Sequence, residues 1–460
     1  MRENPILPPF GVADVRFHVR ARTPRSYTWP VPRRLATAAF AVVIALGGVT
    51  ACGAAEPELL DEVRVPADAP TLQGAMELVR PGGIVVISPG VYEEQLLVDK
   101  PDVTIRGEDR NATIIDGGGI RPYGIVVIAD GVRIENLTTR RATFYGVLIT
   151  GLHDESGPAA RGSDSYDRWD PAAFPPLQRF LVDHITAHNN GLYGIYAFNS
   201  QHGVIRDSYA SGSADSGIYV GQCEQCDILV AGNVAERNAV GFENANASDS
   251  VVVVGNRFTG NRIGMTLLSS YQEAFAPQRG NMIVGNLIAD NTASDAPAHA
   301  EGGFATGIGI AGGQDNVIER NRLSGHPRAD VILRHAEDLP ARGNRFTGNV
   351  SDSAVQLANL SAERTPAVGN CWADVVATIP AELAATASTC TDRAQPSADG
   401  LIALEVPRGV SFLKVASPRD QPQLARAASY PTLPKMVSMP ELTATPVPDG
   451  SLLADQAGTR

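Results

Sequence analysis

A glycine that returns at a nearly constant interval is the feature that most constrains the fold of this 460-residue chain. Gly194, Gly217, Gly241 and Gly264 follow one another after 23, 24 and 23 residues, and Gly124 and Gly146 repeat the step at 22 residues. Self-similarity at this period indicates a solenoid, in which each repeat stacks on its neighbours and no repeat buries its inner face alone.

A second marker follows the same interval: single asparagines stand between short apolar runs, at Asn233, Asn256, Asn286, Asn321 and Asn344. Polarity alternates around each glycine, as in Gly217-Ile218-Tyr219-Val220, which is strand periodicity with Gly and Asn at the corners. The several leucines per coil of a leucine-rich repeat are absent. We therefore predict an all-β chain, a single right-handed parallel β-helix of about ten coils.

The repeats resemble those of the pectin-lyase-like superfamily and, more closely, those of the right-handed parallel β-helix repeat proteins of bacterial surfaces. The resemblance covers residues 63–390, and Pro89-Gly90-Val91-Tyr92 is similar to an early corner of pectin esterase and pectate lyase β-helices. It implies the fold but carries over no catalytic residue. Lyases, epimerases, esterases, hydrolases and non-catalytic binders share this architecture.

Both ends of the predicted solenoid carry candidate caps. Thr71 precedes a helical pattern with Leu72, Ala75 and Met76 on one face, which would plug the open N-terminal end. A disulfide-closed cap is expected at the C-terminal end. The predicted segments are a signal peptide with an N-terminal extension (1–51), a lipidated linker (52–62), the β-helix (63–390) and a Pro- and Ala-rich extended tail (391–460).

The N-terminal region has the pattern of an export signal. Arg33 and Arg34 precede a short apolar run at residues 35–49, and small residues then lead to Cys52. The end of this segment resembles a lipobox, which implies lipidation of Cys52 and anchoring at the outer face of the cell membrane. The alternative is a transmembrane anchor, which needs about 20 apolar residues.

The remaining cysteines fall into two local pairs, Cys223 with Cys226 and Cys371 with Cys390. Disulfides in an exported protein explain both pairs. Metal binding or disulfide exchange at the Cys-x-x-Cys pair is the alternative. Because a second ligand pair at zinc spacing is absent from the sequence, we predict no metal site there.

The net charge of −12 excludes a nucleic-acid partner, which selects basic surfaces. We expect a monomer. An acidic surface repels anionic polymers, so a polyuronate would need local arginines or bound cations. Calcium is a conceivable cofactor, although no specific calcium motif is present.

A candidate site follows from the strand alternation. If Ile195, Ile218, Phe242 and Met265 point inward, Tyr196, Tyr219, Glu243 and Thr266 form an outward row with about 5 Å between coils. Such a row suits a polysaccharide or cell-wall glycan, because sugar rings stack on Tyr and their hydroxyls pair with Asn and carboxylates. The alternative is that these side chains form a ladder that only satisfies the polar groups at the corners of the coils.

The candidate residues lie in or beside this row, in one of the insertions, or in neighbouring segments whose residue types suit acid–base chemistry or carboxylate binding. The catalytic candidates are Tyr196, Asp215, Tyr219, Glu243 and His188; the substrate-binding candidates are Asn199, Arg206, Asn244, Asn246, Tyr271 and Glu273. Three insertions interrupt the repeat, at residues 152–179, 270–280 and 292–303. Long polar insertions on a regular scaffold commonly carry function.

Several functions remain open at this stage. A polyuronate lyase or epimerase needs a group that neutralises the substrate carboxylate, a base and an acid, which His, Tyr and Arg206 would supply. A hydrolase would use the paired carboxylates Asp215 and Glu243. The other classes are a non-catalytic surface protein that binds glycan and a periplasmic β-helix factor for the maturation of a copper enzyme, which would need Met and His clusters.

Overall fold

The computed structural model describes residues 58–154, 157–158, 172–300, 302–390 and 396–459. Within these ranges the chain coils into a right-handed parallel β-helix, because the strands of each coil pair in parallel with those of the next. The predicted fold is confirmed. Residues 1–57, which contain the predicted signal peptide and Cys52, lie outside the described residues, and the predicted segment boundaries stay predictions.

The larger sheet has twenty strands in two columns. The first column consists of Leu60–Val65, Val79–Ile87, Thr104–Gly107, Val132–Arg140, Leu177–His188, Ser200–Arg206, Ile228–Ala231, Val251–Val254, Met282–Val284, Val317–Glu319, Arg345–Thr347 and Cys371–Trp372. The second column adds Gly90–Tyr92, Thr113–Asp116, Tyr209–Ser211, Val234–Glu236, Arg257–Thr259, Leu287–Ala289, Arg322–Ser324 and Val350–Ser351. Two long strands, Val132–Arg140 and Leu177–His188, pair in both columns and join them.

The second sheet has eleven parallel strands and forms the remaining side of the coil. Its strands are Leu96–Val98, Tyr123–Val127, Tyr145–Thr150, Ile195–Phe198, Ser216–Glu224, Val240–Ser248, Ile263–Leu268, Thr306–Ala311, Ala329–Arg334, Leu357–Asn359 and Thr378–Ile379. A short antiparallel pair, His153–Asp154 with Gly157–Pro158, lies in the first insertion. The repeated glycines lie in strands of this second sheet or, for Gly194, immediately before one, so this sheet carries the predicted row.

The core is one continuous apolar column inside the coils. Ile195, Ile218, Phe242 and Met265 are fully buried there, as the alternation predicted. They occupy the same register in successive strands, because Ile195 pairs with Ile218, Ile218 with Phe242, and Phe242 with Met265. Each such side chain contributes roughly 1.5–3 kcal/mol through burial.

The spacing of the repeated glycines has a steric cause. A Cβ atom on Gly194 would lie 2.6 Å from the carbonyl oxygen of Gly217 in the next coil, and one on Gly241 would lie 2.6 Å from that of Gly264. Contacts this short do not occur for real side chains, so only glycine permits the coils to stack this closely at these positions.

The buried asparagines form ladders that satisfy the corners of the coils. Asn233, Asn256, Asn286 and Asn321 donate from each side-chain amide to the side-chain oxygen of the next, at 2.9–3.0 Å, and the series ends on Asn349. Asn344, the fifth asparagine of the sequence marker, is not in this series. Asn344 belongs to a second ladder, because it accepts from Asn316 and donates to Asn370 at 2.8 Å.

Short helices lie near both ends of the β-helix. The helix Leu72–Leu78 begins at the predicted position, where the Thr71 hydroxyl accepts from the Gly74 N–H as an N-cap. The second helix, Leu383–Thr389, ends at Cys390, which forms a disulfide with Cys371. Cys223 and Cys226 form the other disulfide. Both predicted pairings are confirmed, and they fit an oxidising, exported compartment.

The described C-terminal segment, residues 396–459, lies against the β-helix. Apart from the 3₁₀ helix Phe412–Lys414 it has no regular helix or paired strand of its own. Its carbonyl groups accept from side chains of the coils, including those of Arg106, Arg110, Asn189 and Arg257. No helix among the described residues is long and apolar enough to cross a membrane.

Candidate active site

The predicted outward row exists on the outer face of the second sheet. Tyr196 pairs in register with Tyr219, Tyr219 with Glu243, and Glu243 with Thr266. The row is nevertheless covered, since Tyr196 is 9% exposed and Tyr219 is 1% exposed. The second and third insertions bring Glu273 to Tyr219 and His299 to Asp215, so the residues predicted to form an open groove are largely covered.

A second row of tyrosines runs beside the first. Tyr123, Tyr145 and Tyr193 each stand immediately before a repeated glycine, and their rings stack at 5.7 and 5.6 Å between centroids. Tyr196 and Tyr219 pack against this row at 4.4–4.9 Å. We call these five residues the tyrosine cluster. The recurring Tyr-Gly pair is the sequence signal for the second row, and the sequence analysis did not use it.

Burial and nearby carboxylates keep the tyrosine hydroxyls protonated. Burial raises the pKa of Tyr145 to about 12, with smaller contributions from Tyr123 and Asp215. The pKa values of Tyr196 and Tyr219 lie well above the ordinary range because both rings are buried and Glu273 lies near them. At neutral pH these side chains are proton donors and not bases.

Four ionisable side chains meet beside the tyrosine cluster: Asp215, Glu243, Glu273 and His299. We call them the acid cluster. The Asp215 carboxylate lies 3.3 Å from His299 Nε2. One ligand atom each of Asp215, Glu243 and His299 lies within 4.8 Å of the others. Asp215 stands at the corner before the strand Ser216–Glu224, and Glu243 lies one coil further in the row, so stacking alone brings these two together.

Ser216 connects the two carboxyl groups. Its Oγ lies 3.1 Å from Asp215 Oδ1 and 3.1 Å from Glu243 Oε2. A hydroxyl has one hydrogen to donate, so it donates to one carboxylate and accepts from the other group when that group is protonated. Burial, together with the neighbouring Asp215 charge, raises the pKa of Glu243 to about 8. Glu243 therefore carries the proton at neutral pH.

Glu273 completes the acid cluster from the second insertion. Its Oε1 accepts a hydrogen bond of 2.5 Å from the Tyr219 hydroxyl, while its Oε2 is buried without a partner. Burial raises the pKa of Glu273 to about 7, although the Tyr219 hydrogen bond lowers it. Asn246 fixes this loop, because its side-chain amide donates to the carbonyls of Ser270 and Glu273.

His299 enters the site from the third insertion, between the strands Leu287–Ala289 and Thr306–Ala311. The sequence places His299 in this predicted functional insertion, but His299 is not among the candidate catalytic or substrate-binding residues chosen from the sequence. No local signal identifies His299, because its position depends on how the loop folds back over the earlier coil that carries Asp215.

The other predicted site residues lie elsewhere. His188 and Arg206 belong to the larger sheet, where the His188 ring contacts the Asn189 side chain and Arg206 pairs with Asp183 at 2.6 Å. They are not part of the acid cluster. Tyr271 is 44% exposed and donates to Asp338.

Two of the asparagines predicted to bind substrate serve the scaffold. Asn199 is fully buried and donates to the Phe174 carbonyl, and Asn244 is fully buried and accepts from Asn281. Asn199 thus holds the end of the first insertion, and Asn244 bonds to the asparagine of a neighbouring coil. Of the six predicted substrate-binding residues, Glu273 therefore enters the acid cluster and Asn246 holds the loop that carries it.

Two groups of described residues have the geometry to hold a metal ion: Asp215 with Glu243 and His299, and Asp183 with His184 and Asp207. Each group offers two carboxylates and one imidazole. Copper(I) sites use soft thioether and thiolate ligands, and calcium takes about six to eight oxygen ligands. Neither described group fits a dedicated copper or calcium site, and the second is already paired with Arg206.

Fold and site together define a right-handed parallel β-helix protein with an acid–tyrosine site on one outer face. The family profile described as periplasmic copper-binding protein (NosD) matches residues 103–301, less than half of the chain. Among curated proteins, no relative matches.

Solved β-helix structures are similar to this chain at low identity. The A-module of mannuronan C-5 epimerase AlgE4 from Azotobacter vinelandii is 15% identical, with 68% of this chain and 91% of that chain covered and a TM-score of 0.42. The AlgE6 A-module from the same organism is 16% identical, with coverages of 68% and 89% and a TM-score of 0.45. Pectate lyase Pel9A is 13% identical, with coverages of 61% and 73% and a TM-score of 0.38. These similarities assign no reaction to this chain.

Proposed function

We propose that this protein is an exported β-helix enzyme that acts on a uronic-acid polysaccharide by general acid–base chemistry. The observation that carries the proposal is the acid cluster packed against the tyrosine cluster. Burial places the pKa values of Glu243 and Glu273 at about 8 and about 7. Carboxyl groups that titrate near the working pH are the usual signature of proton-transfer sites.

Removal of the proton on C5 of a uronate places negative charge on the adjacent carboxylate, so that carboxylate must be neutralised. A protonated carboxyl group does this by donating a hydrogen bond. Glu243 carries a proton at neutral pH, and Glu273, with a pKa of about 7, is partly protonated. The acid cluster therefore accepts an anionic sugar without an arginine, and Arg206 is not needed for this role.

We assign the base to the acid cluster and the acid to the tyrosine cluster. His299 is the base, because its Nε2 lies beside the Asp215 carboxylate, which stabilises the imidazolium that forms. Tyr196 is the acid, since its raised pKa keeps the hydroxyl protonated. Return of a proton to the opposite face of C5 gives the epimer. Departure of the O4-linked chain with a proton from Tyr196 gives a C4–C5 double bond.

The second tyrosine row supplies the sugar platform. Tyr123, Tyr145 and Tyr193 are partly exposed, whereas Tyr196 and Tyr219 are buried beneath them. Sugar rings stack on exposed aromatic faces, and the repeat of about 5 Å between coils presents successive rings along the axis. We assign polysaccharide binding to this row and the chemistry to the acid cluster below it.

The proposal includes a lipid anchor at the outer face of the membrane. Its support is the lipobox-like sequence before Cys52 and the two disulfides, which suit an oxidising compartment. An anchor of this kind would hold the β-helix where extracellular or periplasmic glycans are accessible.

The same observations support two other functions less well. A non-catalytic glycan binder explains the tyrosine rows but leaves the buried carboxyl groups without a role. A copper-maturation factor is favoured by the family match at residues 103–301, yet both described metal-capable groups are dominated by carboxylates.

The test is an assay of the full chain on pectate, alginate, glycosaminoglycans and neutral cell-wall polymers. Absorbance of unsaturated products and new reducing ends are followed together. We expect unsaturated products, or altered uronate composition without cleavage, on at least one uronate polymer. New reducing ends without double bonds would overturn the proposal in favour of hydrolysis by Asp215 and Glu243. Binding of a polymer without any reaction would overturn the proposal in favour of a non-catalytic glycan binder.

A further inference from the structure

The C-terminal segment reaches the active-site side of the β-helix at residues 407–410. The Val410 N–H donates to the Ala296 carbonyl at 3.2 Å. The Pro407 carbonyl accepts a hydrogen bond of 2.7 Å from Arg262, a buried residue of the coil that follows Glu243. Residues 407–410 are thus fixed to the scaffold at one end and to the His299 loop at the other.

Gly409 makes the closest approach between the two segments. A Cβ atom at this position would lie 2.6 Å from the Ala298 Cβ and 3.0 Å from its Cα. The backbone of Gly409 is not in the left-handed region, so glycine is required here for space and not for conformation. Ala298 is the residue immediately before His299, so a displacement of Ala298 also moves the His299 imidazole.

Arg262 shows that this contact is built into the fold. The side chain is buried, its Nε and Nη1 have no hydrogen-bond partner, and its guanidinium lies 5.0 Å from the centre of the Phe304 ring. Phe304 belongs to the C-terminal end of the region that carries His299. The hydrogen bond to Pro407 and the contact with Phe304 therefore tie the C-terminal segment and the His299 loop to one buried side chain.

We propose that residues 407–410 are a positioning element that holds His299 against Asp215. The segment meets the loop at Ala296 and Ala298, which lie three residues and one residue before His299, and the His299 Nε2 lies 3.3 Å from the Asp215 carboxylate. The catalytic consequence rests on the proposed function, whereas the placement of His299 does not.

The test compares Gly409→Ala with Gly450→Ala in the full chain. Gly450 lies in the same C-terminal segment, and a Cβ there would meet nothing within 4 Å, so it is the matched control. The chain has eight histidines, and the ring resonance of His299 in the NMR spectrum is assigned by its loss in His299→Asn. We expect Gly409→Ala to shift the His299 resonance while the other histidines keep their positions.

Activity is the second measurement. A displacement near 1 Å at a catalytic group costs up to about 100-fold in rate. We expect Gly409→Ala to lower kcat by about 10- to 100-fold and Gly450→Ala to leave it unchanged. Should Gly409→Ala fail to fold, Arg262→Gln weakens the same contact from the scaffold side and should shift the same resonance.

An unshifted His299 resonance in a folded Gly409→Ala or Arg262→Gln variant would overturn the positioning role. A shifted resonance in a protein without any glycan activity would retain the positioning role and refute the proposed function. The positioning role and the proposed function can therefore be refuted independently of each other.

Discussion

The Tyr219 hydroxyl donates a hydrogen bond of 2.5 Å to the Glu273 carboxylate, although 54 residues separate the two in sequence. This bond closes the second insertion over the row that the β-helix presents. It joins a side chain fixed by coil stacking to one fixed only by a loop. The site is thus made of two kinds of residue, and they differ in how far the sequence predicts them.

Replacement of Tyr219 by Phe removes this bond and leaves the ring in place. Because the partner is a buried carboxyl group, we expect a loss of about 1.5–3 kcal/mol in the free energy of unfolding, measured by urea denaturation. Tyr271→Phe is the matched control, since Tyr271 also donates to a carboxylate but at an exposed position. Equal effects of the two substitutions would contradict the burial of the Tyr219–Glu273 pair.

The free energy of unfolding should decrease as the pH rises from the acidic range through the folded-state pKa values of Glu243 and Glu273. The pKa of Glu243 is raised from 4.5 to about 8 and that of Glu273 from 4.5 to about 7 in the folded protein. The folded state therefore binds protons that the unfolded state has released, so the stabilisation is complete below the unfolded pKa and is lost as the pH passes through the folded values.

The measurement is the urea midpoint at about pH 5 and at about pH 8.5. Glu243→Gln should flatten the decrease, because the amide does not titrate. Glu363→Gln, at an exposed position, should leave the decrease as it is. A Glu243→Gln variant with the full pH dependence would show that Glu243 titrates normally.

The asparagine ladder predicts a large cost for one truncation. Asn256 accepts from both the backbone and the side chain of Asn233, and its own amide donates to Val230 and Asn286. Asn256→Ala leaves several buried polar groups unpaired, at about 1–3 kcal/mol each. We expect a loss of at least about 2 kcal/mol in urea denaturation. A loss of only a few tenths of a kcal/mol would mean that water molecules replace the hydrogen bonds of the ladder.

The lipid anchor predicts that Cys52→Ala releases the protein from membranes. The variant should appear in the soluble fraction after cell lysis, whereas the unmodified chain sediments with membranes and incorporates labelled fatty acid. A Cys52→Ala protein that remains in the membrane fraction would instead favour a transmembrane segment at residues 35–49.

The sequence predicts those parts of the site whose positions are set by the stacking of the coils. The register of Tyr196, Tyr219 and Glu243 follows from the glycine interval and the strand alternation, and the proximity of Asp215 to Glu243 follows from one step of the coil. The Cys223–Cys226 disulfide follows from the closeness of the two cysteines in the sequence. These features need only the repeat and short-range geometry.

Other parts of the site depend on loop conformation or on which side of the coil a strand occupies. Glu273 and His299 reach the acid cluster only because two insertions fold back over the outer face. His188 and Arg206 lie in the larger sheet because the alternation tells inward from outward but not one side of the coil from another. They were chosen for their residue types, which do not specify the side of the coil on which a residue lies.

The most direct test of the account is exchange of the sugar C5 proton with solvent. The full chain is incubated with uronate oligomers in D2O, and deuterium at C5 is measured by NMR together with absorbance of unsaturated ends. We predict deuterium at C5 or new double bonds with the unmodified chain and with Glu363→Gln, and a decrease of about 100-fold or more with Glu243→Leu, which has no hydrogen to donate to the sugar carboxylate. Undiminished activity in Glu243→Leu, or no exchange and no double bonds on any uronate polymer, would contradict the role of Glu243 in an acid–base site.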